Sequence, residues 1–137
     1  MVRQTVAFVE NRKGIMWQMT AALRREGICI CGMSTVDSPE FGIVRMIADK
    51  PDEALRSLQT AGFVAKECEV IAVRMAKPED MEFILQVVQD GNVNVNYFYS
   101  SFGSDLRSPI LILNAADMEE TEAMLLGHGF VCLDSVS

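Results

Sequence analysis

The sequence predicts an α+β protein built as two βαββαβ units in tandem, each an antiparallel sheet with its helices on one face. Three observations carry this. The chain repeats itself at an offset of 65, which lays Met16 on Met81, Met19 on Ile84, Leu23 on Val88, Gly27 on Asn92, Ile28 on Val93 and Ile30 on Val95. After small insertions the offset becomes 67, and Leu58, Gly62 and Phe63 then match Leu125, Gly129 and Phe130. Within each half, apolar residues switch between the period of a strand and the period of a helix. Finally, half of the 137 residues are hydrophobic and 23% are charged, which supports a buried core and argues against disorder. The repeat divides the chain into residues 1–68 and 69–137.

The elements follow in order. Residues 5–9 alternate and are β-prone, 11–14 break the pattern, and Ile15, Met16, Met19, Ala22 and Leu23 then recur at helical spacing. Gly27 stops that helix, residues 28–36 form a second strand, 38–42 a turn rich in Ser, Pro and Gly, and 43–48 a third strand. Pro51 stands where a helix start tolerates it, Ala54, Leu55, Leu58 and Ala61 make an apolar stripe, and Gly62 closes the helix before a return strand at Phe63 and Val64. The second half repeats this with strands at 70–75, 93–102, 108–113 and 130–136 and helices at 78–90 and 117–126. Residues 67–69 join the halves without a Gly- or Ser-rich linker. In the strand at 28–36, Ile28 and Ile30 alternate with Cys29, Cys31 and Met33, so both sheet faces are apolar. The face away from the helices is expected to be covered by the other repeat or by another copy of the chain.

Composition excludes several functions. Lys and Arg number 12 against 19 Asp and Glu, a net charge of −7, and phosphate recognition depends on clustered cations, so neither nucleic acid nor an anionic membrane is expected as a partner. Residues 1–69 are neutral, with nine charges of each sign, and the whole excess of acid lies in residues 70–137. The longest apolar run, residues 28–33, is far short of the roughly 20 a membrane helix needs. The absence of a signal-peptide pattern predicts a cytoplasmic protein whose Cys29, Cys31, Cys68 and Cys132 are reduced.

V-A-F-V-E-N-R-K-G-I-M (residues 6–16), R-R-E-G-I-C-I (24–30), G-I-V-R-M-I (42–47) and T-A-G-F-V (60–64) together resemble a tandem ACT domain protein, over nearly the whole chain and in both halves. That resemblance implies two ferredoxin-like units and allosteric regulation by a small molecule, usually an amino acid, bound where ACT units meet and touched by the first βα loop. It implies no catalysis and no cofactor.

Physical reasoning reaches the same loop. A helix N-terminus offers free N–H groups and partial positive charge, and Asn11, Arg12, Lys13 and Gly14 add an amide, two cations and a residue that lets backbone approach a ligand, ahead of Ile15. A solvated loop with a plain turn glycine is the alternative. In the second half, Ala76, Lys77, Pro78, Glu79 and Asp80 stand there, with no glycine aligned to Gly14 and with carboxylates that repel an anion. Arg45 is a candidate for a ligand carboxylate or a neighbouring unit, or is an outward side chain. Tyr97 and Tyr99 share a strand face with Val93 and Val95, as packing or as a stacking wall. Asn94 and Asn96 align with Cys29 and Cys31, and if buried need partners that a zwitterion or facing strand could supply. Trp17 lies off the apolar stripe of its helix.

Catalytic patterns are missing. The single His128 sits at the end of the last helix, where a cation suits the dipole, and there is no G-x-S-x-G, HExxH, P-loop or complete GxGxxG. Cys29 and Cys31 point the same way if the strand is regular and form a conceivable soft-metal pair, though a closed zinc site wants four ligands, so no metal is expected. The expectation is a non-catalytic homodimer that binds an amino acid or similar small carboxylate. The alternatives are a ligand-free dimerisation scaffold for a separately encoded metabolic enzyme, and metal handling through the two cysteines.

Overall fold

A computed structural model describes residues 1–37 and 40–136. The elements are β1 (Val2–Glu10), α1 (Ile15–Arg25), β2 (Ile30–Asp37), β3 (Phe41–Ala48), α2 (Pro51–Thr60), β4 (Val64–Arg74), α3 (Asp80–Asp90), β5 (Val95–Phe102), β6 (Pro109–Ala115) and α4 (Met118–Gly127). Part of the expected turn at 38–42, Ser38 and Pro39, lies outside the described residues. The chain divides into two compact units, residues 3–68 and residues 1–2 with 69 onward.

In the unit of residues 3–68, β3 pairs antiparallel with β1 on one side and β2 on the other. Ala7 and Val9 of β1 and Val44, Met46 and Ala48 of β3 point to the helix side. There they meet Ile15, Met19 and Leu23 of α1, one residue every four and thus one stripe, with Ala54 and Leu58 of α2. Chain reversal after α1 requires a left-handed residue, and Gly27 supplies it at φ +71°.

The other unit repeats this plan. β6 pairs antiparallel with β4 and β5, and Ile71, Val73, Leu111 and Leu113 pack on Ile84 and Val88 of α3 and Leu125 of α4. Where Gly27 stood, Asn92 adopts φ +59°, the left-handed region that asparagine tolerates best after glycine. The Ile28 amide donates to Leu23 O at 3.1 Å and the Val93 amide to Val88 O at 3.2 Å, so the aligned residues make the same bond. Ile110 and Ile112, on the sheet face away from the helices, are as buried as Leu111 and Leu113, so β6 is apolar and covered on both faces.

The structure corrects three expectations. The return strand at 63–64 and the next strand at 70–75 are one continuous strand, β4, because nothing between Val64 and Arg74 is Gly or Pro. Its first half is mostly exposed and Val70–Val73 are fully buried. The strand expected at 130–136 shrinks to one bridge, Val73 to Cys132, flanked by Arg74 N to Val131 O and Leu133 N to Ala72 O. Beyond Asp134 and Ser135 the segment turns elsewhere, and Val136 O accepts from Ser104 N at 2.8 Å.

The third correction concerns strand faces. Between Ile30 and Gly32 the register with β3 slips by one residue, and between Val95 and Tyr97 the register with β6 slips in the same way. Both units therefore carry a β-bulge, at the aligned positions Cys31 and Asn96, and a bulge reverses the alternation beyond it. Met33 thus returns to the helix side with Ile30, packing on the same core. Tyr97 and Tyr99 do share a face, but opposite to that of Val95, which packs on the helix-side core.

Candidate ligand-binding site

The loop from β1 to α1 is built by backbone bonds. Asn11 N donates to Glu40 O, Arg12 N to Glu10 O at 2.9 Å, and Ile15 N to Arg12 O. Gly14 is the N-cap of α1 at φ +83°, a conformation that any other residue adopts only with strain. No side chain caps this helix and no acidic residue occupies its first turn, so no protein carboxylate meets its N-terminus from within the first turn. Arg12 leans over the first turn, with Nη2 3.2 Å from Gln18 Oε1 and Nε 3.7 Å from Glu10 Oε2.

Beside this loop opens a cavity of about 600 Å³. Its polar lining is Glu10, Arg12, Gln18 and Arg25, and its apolar walls include Val9, Ile15, Ala22, Phe41 and Phe63. A smaller one of about 340 Å³ lies on the other side of Ile15, reached by Asn11, Met16 and Thr35. Mixed lining of this kind, mostly apolar with a few placed charges, is characteristic of small-ligand clefts.

The sequence candidates separate accordingly. Arg12 and Ile15 line the larger cavity and Asn11 and Ile15 the smaller, while Lys13 and Gly14 are exposed on the loop and line neither. Arg45 pairs with Val6, four strand positions from the Glu10–Phe41 pair that ends at the loop, and lies between strand neighbours on the face opposite α1. Asn94, Asn96 and Tyr97 belong to the other unit. Asn94 Nδ2 donates to Asn96 Oδ1 and Asn96 Nδ2 to Asn114 Oδ1 at 2.8 Å, so the two exposed amides have partners within their own unit. Asn94 borders a cleft of about 450 Å³ with Leu85, Gln89 and Val93. Sequence reasoning missed Gln18 and Arg25. Their spacing with Ala22, at i, i+4 and i+7, marks a second stripe on α1 beside the core stripe and could have revealed them.

The equivalent loop in the second unit is filled from within. Glu79, aligned with Gly14, is the N-cap of α3 at φ −76°, and Asp80 Oδ2 accepts from Ala76 N at 2.8 Å and Lys77 N at 3.0 Å. Two of the four cysteines have thiols held above their usual range, and Cys68 is exposed. Burial, and then the neighbouring Cys29, pushes the Cys31 thiol up to about 12. Cys132 is pushed up to about 11, chiefly by burial and then by Glu122. Among the described residues no group of three or more His, Cys, Asp or Glu could hold a metal. Trp17 is two-thirds exposed, and His128 caps α4 with Nδ1 2.9 Å from Met124 O. No helix among the described residues is long and apolar enough to cross a membrane.

A family model described as an ACT domain pair matches residues 1–133. The chain belongs to the ACT domain-pair family. This ACT pair has the fold of protein BT0572 from Bacteroides thetaiotaomicron, with a TM-score of 0.85 and 22% identity over 98% of this chain and 93% of that one. It is also similar to the ligand-free regulatory subunit of aspartate kinase from Thermus thermophilus, with a TM-score of 0.67 and 20% identity over 92% and 89%. The corresponding subunit from Thermus flavus gives 0.60 and 18%, over 90% and 88%. No curated protein sequence matches the chain.

Proposed function

We propose that this ACT pair is a non-catalytic, cytoplasmic regulatory protein that binds an amino acid or similar small carboxylate, with residues 1–68 and 69–137 as its two ACT domains and a homodimer as its working form. The observation that carries the reading is the α1 N-terminus, left without a side-chain cap or an acidic first turn, beside a cavity lined by Arg12 and Arg25. Family membership and the likeness to aspartate kinase regulatory subunits support a regulatory role. The ligand carboxylate docks by Gly14 and Arg12, and the ligand side chain lies against Ile15 and Phe63. Binding then shifts the population of conformations by its differential affinity for them.

Thermal unfolding in the presence of each of the twenty amino acids at millimolar concentration tests this. At a hundred times Kd a ligand adds about 2.7 kcal/mol, a shift of several degrees. A flat series across all twenty would sink the proposal.

A second reading has its own support. Asp80 closes the second loop from within, as it would in a unit kept for contact and not for ligand. A ligand-free scaffold for a separately encoded metabolic enzyme predicts co-purification of that enzyme with no bound small molecule.

A further inference from the structure

The two arginines of the cavity differ in how they are engaged. Arg12 already has Gln18 and Glu10 as neighbours. Arg25 also lines the cavity, yet among the described residues its side chain makes no hydrogen bond or ion pair. Its neighbour Arg24, in the same last turn, does not line the cavity, whereas Arg25 lines both this cavity and an adjoining cleft with Glu53 and Arg56.

Helix geometry sets the spacing. The Arg12 guanidinium sits at the level of Gln18, and Arg25 follows Gln18 by seven residues, about 10 Å along the axis. Side chains on a helix lean toward its N-terminus, so a long Arg25 side chain shortens that gap to the reach of a small molecule. Between the two cations the helix presents Ala22, whose methyl leaves room that a larger residue would fill. Phe63 and Ala61 stand beside it in the same lining.

We infer that the cavity selects a small dicarboxylate, an acidic amino acid or its close analogue, with one carboxylate at Arg12 and the second at Arg25 across Ala22. This rests on the carboxylate-binding reading above and adds what the ligand's other end must be. Glu10 stands at the Arg12 end, where it suits the ammonium group of an amino acid. Arg25 is then a specificity residue: it recognises a charge that a neutral isostere lacks.

Matched probes test the point. Titration calorimetry with L-glutamate and L-glutamine, and with L-aspartate and L-asparagine, compares ligands that differ almost only in the second charge. The expected result is acid over amide by about tenfold in at least one pair, in keeping with one charge-assisted hydrogen-bonded pair at a partly open site. Arg25→Gln removes that preference by weakening the acid, so that acid and amide bind the variant alike. Equal or tighter binding of the amide in both pairs overturns the inference while leaving carboxylate binding intact, as does an acid preference that survives Arg25→Gln. If neither member of either pair binds while another amino acid does, the dicarboxylate assignment falls alone. If none of the twenty binds, the underlying reading falls with it.

Discussion

The starts of α1 and α3 occupy the same place in their two units and solve the same problem oppositely. Each helix begins with N–H groups that lack intrahelical partners. At α1 the chain reaches the helix through a left-handed glycine, carries no acid in the first turn, and leaves the positive end open beside a cavity. At α3 the N-cap is right-handed, Asp80 and Glu82 stand in the first turn, and the Asp80 carboxylate folds back onto two amides of the loop. One helix start has no carboxylate of its own, and the other has two. Duplication preserved the scaffold, down to the bulges at Cys31 and Asn96, while the loops diverged.

The strongest way to break the comparison is through the cores. Leu58 and Leu125 are aligned, fully buried and packed at equivalent helix positions. Leu58→Ala and Leu125→Ala should each cost about 2 to 5 kcal/mol, the transfer loss plus the cavity left behind, measured by urea unfolding. Similar values would show two cores of one design. A cost under about 1 kcal/mol at either would mean that its site collapses, and that the two units are not equivalent in packing.

Much of this scaffold could be read beforehand because it rests on local rules. The stripe Ile15, Met19, Leu23 and the stop at Gly27 specify α1, and the aligned Ile84, Val88 and Asn92 specify α3. The bulges were not legible. Cys31 and Asn96 look like ordinary members of an alternating strand, and the register slip is decided by pairing with β3 and β6, which is a tertiary property. Regular alternation puts Tyr97 on the face of Val95, and the slip between them moves it to the other. In the first loop, Arg12 and Gly14 are candidates by motif and chemistry alone. Arg25 is marked in the sequence only by its spacing with Gln18 and Ala22, and that spacing takes its meaning from the cavity beside the exit of α2 at Ala61 and Phe63, far along the chain.

The loops themselves give the next contrast. Gly14 has open space where a Cβ would stand, so Gly14→Ala meets no steric clash and pays only for its left-handed backbone, about 1 to 2 kcal/mol. Glu79→Ala, at the aligned position, keeps an unstrained right-handed φ and should change stability by less than about 0.5 kcal/mol. Denaturant midpoints of the two variants at constant m-value measure the difference. Equal effects would mean that the left-handed cap is no constraint on the first loop.

Asp80 is the last and smallest test, and it separates charge from hydrogen bonding. Asp80→Ala frees the amides of Ala76 and Lys77 and should cost about 1 kcal/mol, as loss of a capping side chain does. Asp80→Asn keeps an acceptor oxygen for those amides but removes the charge that the helix N-terminus favours, a contribution of about 0.3 to 1 kcal/mol. If Asn restores most of the loss, the closure of the second loop is a matter of geometry. If Asn behaves like Ala, the helix dipole holds it, and raising the salt concentration should shrink the wild-type advantage in parallel. Neither variant should create a site like the proposed one, because the left-handed glycine at the cap and one of the two cations are missing there: the positions 65 residues on are Lys77 for Arg12, Glu79 for Gly14 and Asp90 for Arg25.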